Sequence, residues 1–273
     1  MTVAARLEIA AKTDPGCVRP NNEDNLAVNE DLGLLVVCDG MGGHSSGEVA
    51  SQIATDTVKE FAAKMMGGAK QMLPEGGNAS LTPRGRQLEY FVKTANTMIF
   101  EKARAFPKDH GMGTTLVAAV VDNKSMTVAH VGDSRLYMMR HNQLQLMTED
   151  HSLVMDQVRR GLISLADAEK SSIQNILTRA LGTESEVVVD VQEHPLLAGD
   201  VLLLCSDGLT KHVGEAEISA TLREPKPVGE MADSLIKKAK DGGGSDNITV
   251  IVARVPAAAN SGIRGLISKI FQH

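Results

Sequence analysis

Tryptophan is absent from this 273-residue chain, and aromatic residues make up only 3% of it. Any core must therefore be aliphatic, helped by 13 methionines. A surplus of positive charge is missing as well: 28 Lys and Arg stand against 34 Asp and Glu, for a net charge of −6. That balance argues against a nucleic-acid surface, which needs a basic patch, whereas an acidic chain suits the holding of cations. Cysteine is scarce. Cys17, Cys38 and Cys205 form no CxxC pair and are odd in number, so neither a disulfide framework nor a thiolate zinc site is supported. Cys38 and Cys205 stand in apolar runs, where cysteine serves as a small hydrophobe. No long apolar h-region marks the N-terminus, and no apolar run approaches the length of a membrane span. The expectation is a reduced, cytoplasmic, soluble protein, and the 42% hydrophobic and 23% charged residues are ordinary for a globular one.

What is present is a set of short apolar runs bounded by Gly, Asp or Asn. They predict strands over 34–38, 115–121, 126–131, 135–140, 187–194, 201–205 and 248–255. Asp122-Asn123-Lys124-Ser125 reads as a hairpin turn. Ser45 and Glu48 fit a capping box, and Val49, Ile53, Val58, Phe61 and Met65 follow at helical spacing. Thr82-Pro83 starts a second helix, which Pro107 stops. Two more helices are expected over 215–222 and 228–239. Helices come in pairs and strands in meanders, which disfavours a parallel sheet and favours an α+β layered fold. No internal repeat or boundary breaks residues 1–256, which are expected to form one domain. Residues 257–273 carry an apolar stripe, Ile263, Leu266, Ile267, Ile270 and Phe271. This tail reads as a docked terminal helix, as a surface helix for a partner or membrane, or as disorder.

Several strand-like runs end on a carboxylate, and the first, Asp39, has no basic residue nearby. "LLVVCDG" puts Asp39 before Gly40, "LLLCSDG" puts Asp207 before Gly208, and "AHVGDSR" puts Asp133 after a strand. "GGGSDNITVIV" puts Asp246-Asn247 before one. A single Asp-Gly is most often a hairpin turn, but both pairs here lead toward helices. Carboxylates converging at one sheet edge would repel and raise one another's pKa; a divalent cation removes the conflict. An all-oxygen ligand set suits Mg²⁺ or Mn²⁺, and two ions about 3.5–4 Å apart can share a carboxylate and acidify a bridging water. Arg19, beside Glu23-Asp24 in "RPNNEDN", is a candidate for gripping two phosphate oxygens, or else a solvated surface residue.

These motifs resemble, in order and spacing, the metal-dependent protein phosphatases (the PPM or type 2C Ser/Thr phosphatases) in their short bacterial form. The resemblance runs over about residues 5–255, through "RPNNEDN", "VVCDGMGGHSSGEVAS", "GMGTTLVAAVV", "AHVGDSRLYMMR", "LTRALGT", "LLLCSDGLTKHV" and "GGSDNITVIVAR". It implies a four-layer α-β-β-α sandwich, two antiparallel sheets flanked by antiparallel helix pairs. It implies hydrolysis of phosphoserine and phosphothreonine on proteins by a metal-activated water. Asp39 would bridge two ions, and the Gly40 carbonyl would bind one of them. Asp207 and Asp246 would complete the second site, and Asp133 with Asp207 matches the third ion of bacterial relatives. Glu23 and Asp24 would act through metal-bound waters, Arg19 would hold the phosphate, and Asn247 would support the site next to Asp246. Met41 stands where many eukaryotic relatives carry a proposed acid, His. His44 and a metal-bound water are the two candidates left for the leaving-group proton. The segment 151–176 matches the family's flap, with Ser171-Ser172 in place of a frequent His-Pro. Phosphorylated proteins are the implied substrates, with a bacterial Ser/Thr kinase as the opposing enzyme and a monomer as the expected state. The rivals are a two-metal hydrolase of small phosphoesters and a non-catalytic phospho-binding module of the same fold.

Overall fold

The computed structural model describes residues 7–42, 46–68, 78–122, 124–168, 171 and 173–256. In chain order its elements begin with β1 (Glu8–Asp14), β2 (Asp24–Asn29), β3 (Leu34–Met41), α1 (Ser46–Met66) and α2 (Pro83–Ala105). A run of short strands follows: β4 (Gly113–Thr114), β5 (Leu116–Val121), β6 (Ser125–Val131), β7 (Arg135–Arg140) and β8 (Gln143–Leu146). Two short helices come next, α3 (Leu153–Arg159) and α4 (Leu165–Ala168), then β9 (Asp190–Pro195) and β10 (Val201–Cys205). The last elements are α5 (Asp207–Thr210), α6 (Glu215–Arg223), α7 (Val228–Asp241) and β11 (Ile248–Arg254).

The strands form two antiparallel sheets, one in the order β1-β11-β10-β7-β8 and the other β2-β3-β5-β6-β9, with β4 paired to β3. Most of the central strands read as unbroken apolar runs because both of their faces are buried, and alternation assigns each residue to a face. In β3, Leu35 and Val37 face the other sheet, meeting Leu136, Leu202, Leu204 and Ile251. Leu34, Val36 and Cys38 face outward onto α1 and α2, through Ala54, Val58, Leu88 and Phe91. On the far side α6 and α7 cover the first sheet, where Ile218, Met231 and Leu235 pack on Tyr137, Leu203 and Val252. The result is the expected four-layer α-β-β-α sandwich, its layers mostly aliphatic, with Phe91 and Tyr137 fully buried among them.

The helix boundaries follow their signals. α2 is capped by Thr82, whose hydroxyl accepts from the Gly85 amide, with Pro83 in the first turn. α1 begins at Ser46; Ser45, the first residue of the expected capping box, lies outside the described residues, as do the tail 257–273 and His44. Four strands carry no sequence signal: β4 is only two residues long, and β1, β2 and β8 are half-exposed and mix polar with apolar residues. The expected strand over 187–194 begins three residues later, at Asp190, because its partner β6 ends at Val131 and the pairing starts at His130↔Asp190. The hairpin turn forms as expected: the Ser125 carbonyl accepts from the Asp122 amide at 2.9 Å, and β5 pairs with β6 on either side.

Candidate active site

The topology brings the acidic strand ends to one end of the sandwich. β2 pairs with β3 in a register that sets Asp24 opposite Asp39, so both side chains leave the same face. β10 pairs with β7 and β11 so that Cys205 lies opposite Arg135 and Val250. The residues just beyond these pairings are Asp207, Asp133 and Asp246. Arg19, Glu23, Asp24, Asp39, Gly40, Asp133, Asp207, Asp246 and Asn247 therefore share one end.

Local contacts then tighten the cluster. Gly40 is pressed between two backbones: a Cβ there would lie 2.2 Å from the Gly47 carbonyl oxygen and 2.5 Å from that of Glu23. Only glycine lets β3 pass so close to the start of α1. Thr115 fixes the Asp39 backbone from both sides, its Oγ1 accepting the Asp39 N–H at 2.9 Å and its own N–H donating to the Asp39 carbonyl at 2.9 Å. The same Oγ1 lies 2.7 Å from Ser134 Oγ, tying Asp39 to the turn that carries Asp133. Gly208 sets Asp207 against Asp246, since a Cβ on it would lie 1.9 Å from the Asn247 carbonyl oxygen.

Asn247 clamps the loop that carries Arg19 and Glu23. Its Oδ1 accepts the Glu23 N–H at 2.8 Å, and its Nδ2 donates to the carbonyls of Asn21 at 2.8 Å and Pro15 at 3.1 Å. Arg19 stands at the exposed rim, with Nε 3.0 Å from Asp246 Oδ1. Asn247 thus makes a three-point hold on a loop 224 residues away in sequence.

The electrostatics match a site built for cations. Burial pushes Asp39 well above the usual carboxylate range, and the charges of Asp24, Asp207, Asp133 and Asp246 push it further. Burial likewise raises Asp24 to about 7 against hydrogen bonds from Ser206 and Thr249, with Asp207 and Asp246 adding to the rise. Asp133 is raised to about 7 by burial, Asp207 and Asp150. Burial raises Glu23, partly offset by Arg19. Asp246 is the exception: burial would raise it, but Lys211 and Arg19 hold it below its ordinary value. Two buried oxygens, Asp24 Oδ1 and Asp207 Oδ1, have no hydrogen-bond partner. Unsatisfied carboxylate oxygens aimed into a cluster of like charges fit a hard divalent cation, and no nitrogen or sulfur donor is needed.

Three features escaped the sequence reading. Lys211 bridges Asp207 and Asp246, with Nζ 2.6 Å and 2.8 Å from their Oδ2 atoms; its signal was only an i,i+4 spacing from Asp207. Thr115 sits in a motif that was recognised without a role for this residue. The third is a group near the turn of Asp133, two buried histidines with a partly exposed aspartate. Among the described residues, His130, His151 and Asp190 bring three potential ligand atoms within 4.8 Å of one another. Their atoms are engaged in hydrogen bonds. His151 Nδ1 accepts the Gly132 N–H at 3.1 Å, its Nε2 lies 3.2 Å from Asp190, and His130 Nε2 lies 2.9 Å from the Glu149 carbonyl. The His130 and His151 rings stack at 4.8 Å, and burial with the charges of His130 and Arg179 lowers His151 to about 4. A neutral His151 thus holds Gly132, and through it the turn of Asp133. A surface cavity of about 590 Å³ lies at the opposite end of the first sheet, lined by Glu8, Met139, Lys226 and Arg254, away from the aspartates.

Known proteins resemble this chain over most of its length. The family pattern described as Protein phosphatase 2C matches residues 20–240. The serine/threonine phosphatase stp of Listeria monocytogenes is 40% identical over 248 residues, 88% of this chain and 93% of that protein. The serine/threonine protein phosphatase PstP of Mycobacterium tuberculosis is 37% identical over 250 residues, 91% of this chain and 45% of that longer protein. A crystal structure of the Staphylococcus aureus serine/threonine phosphatase superposes with a TM-score of 0.83 at 35% identity, covering 94% of this chain and 98% of that one. The catalytic domain of PstP, solved in complex with two manganese ions, gives a TM-score of 0.76 at 36% identity over 92% of this chain and 99% of that one. With its motifs, its sandwich and its acidic end all in agreement, this chain belongs to the protein phosphatase 2C family.

Proposed function

We propose that this site hydrolyses phosphoserine and phosphothreonine on proteins with the help of Mg²⁺ or Mn²⁺. The observation that carries the reading is the convergence of five aspartates at one end of the sandwich, with buried oxygens of Asp24 and Asp207 left unpartnered. Asp39, the Gly40 carbonyl, Asp207 and Asp246 would hold two ions, and Asp133 with Asp207 a third. When bound, the ions supply Lewis acidity and activate water. Glu23 and Asp24 would act through waters held by the ions. Arg19, at the exposed rim beside Asp246, can turn its guanidinium to two phosphate oxygens, and the Asn247 clamp keeps its loop in place. His44 or, in competition with it, a water held by the ions would donate the leaving-group proton, since Met41 carries none.

Residues 1–256 form the catalytic domain in this reading, with 151–176 as a flap and 257–273 as a tail. No helix among the described residues is long and apolar enough to cross a membrane. The three cysteines are free, which fits the cytoplasm, where a Ser/Thr kinase would supply the substrates.

The test uses p-nitrophenyl phosphate and a phosphothreonine peptide. Activity on both should require Mn²⁺ and vanish with EDTA. Asp39→Asn, Asp207→Asn and Asp246→Asn should each abolish turnover; wild-type rates in any of them would remove that residue from the metal assignment. Arg19→Ala should raise KM more than it lowers kcat. His44→Ala should slow the peptide and spare p-nitrophenyl phosphate, whose leaving group needs no proton; equal effects on both would clear His44 of that role.

A further inference from the structure

Lys211 follows α5, and its amide donates to the Asp207 carbonyl at 2.8 Å. Its side chain folds back over the same turn. The ammonium then reaches two carboxylates from different strand ends, Asp207 Oδ2 at 2.6 Å and Asp246 Oδ2 at 2.8 Å. The side chain is only 24% exposed, whereas Arg19, the other cation on Asp246, is 52% exposed at the rim. Lys211 is thus the more enclosed of the two. Asp207 keeps its second oxygen, Oδ1, buried and without a partner.

Asp207 and Asp246 are also the pair assigned above to one ion, and the inference rests on that assignment. An ammonium this close to a divalent ion, in a site only partly open to water, meets repulsion. The two cations therefore compete for the same carboxylates. We infer that Lys211 is a built-in competitor for the metal held by Asp207 and Asp246. It neutralises the pair when divalent ions are scarce, and an incoming ion must drive it off. The consequence is a site that fills at a higher ion concentration than its aspartates alone would set, so that activity follows divalent-ion supply.

Mn²⁺ titration of the EDTA-stripped full chain by calorimetry tests this, with free Mn²⁺ followed by paramagnetic resonance. Lys211→Met and Lys211→Gln should bind the Asp207/Asp246 ion about tenfold tighter or more, a gain of about 1.4 kcal/mol. Lys211→Arg, which keeps the charge, should stay within about threefold of wild type. The metal-free Met and Gln variants should melt lower than wild type, because two carboxylates lose their counter-ion. Affinities of both neutral variants equal to or weaker than wild type would overturn the inference. The half-open position of Lys211 leaves the apolar core intact in these variants, and circular dichroism verifies it. Asp246→Asn in the same titration separates the two levels of the argument. If it binds Mn²⁺ like wild type, the metal assignment fails; if it loses one ion while the Lys211 variants bind unchanged, only the competitor role fails.

Discussion

Asp24→Asn offers a direct measure of the strain stored in the acidic cluster. Asp24 is buried, accepts the Ser206 hydroxyl at 2.7 Å, and faces Asp207 and Asp246. Its pKa rises from 3.8 to about 7 on folding. Below about pH 4 both states hold the proton and Asp24 contributes nothing to the pH dependence. Between about pH 4 and pH 7 the folded state still holds a proton that the unfolded state has lost, so stability falls as pH rises. Above about pH 7 the loss is complete, and at 1.36 kcal/mol per tenfold it reaches a ceiling of about 4 kcal/mol. Asparagine cannot ionise, and its carbonyl can still accept from Ser206. The stability of the metal-free variant relative to wild type should therefore improve by about 2–3 kcal/mol between pH 5 and pH 8. That equals a relative shift in melting temperature of about 2–4 °C per kcal/mol for a chain of this size. Urea unfolding in EDTA at pH 5, 6, 7 and 8 measures it, and saturating Mn²⁺ should shrink the gain by neutralising the neighbours. A difference between variant and wild type that does not change with pH would refute the reasoning, because the buried charge would then not be what limits stability.

Other perturbations probe how the cluster is held. Gly208→Ala places a Cβ against the Asn247 carbonyl, 1.9 Å away before relaxation; it should cost about 1–3 kcal/mol in thermal unfolding and weaken Mn²⁺ binding by parting Asp207 from Asp246. Asn247→Ala releases the loop of Arg19 and leaves the Glu23 N–H without its acceptor, costing about 1–3 kcal/mol. It should raise KM for the phosphopeptide, and a loss of stability with KM unchanged would deny the clamp a functional part. His151→Leu strands the buried Gly132 N–H at a similar cost of about 1–3 kcal/mol, read by urea unfolding, and should lower Mn²⁺ affinity through the Asp133 turn.

Much of the site was legible because its marks are local. An apolar run that stops on Asp39 or Asp207 and is followed by glycine is visible in a handful of residues. The buried central strands and the capped α2 are visible for the same reason, since both depend on near neighbours. β1, β2 and β8 were not legible: they are half-exposed at or near the sheet edges and carry no clean alternation. The start of β9 was missed because it is set by where β6 ends, not by the apolar residues Val187–Val189.

The sequence by itself determined the layered α+β class, the run of strand-end aspartates and the family they belong to. Tertiary structure alone decided the rest. It laid Asn247 across a loop 224 residues away, placed the neutral His151 under the turn of Asp133, and folded Lys211 back between Asp207 and Asp246. Such contacts leave no local trace, because each depends on where two distant backbones meet. A strand's pattern records only which of its faces is buried, while charges interact through space with whatever the fold brings near.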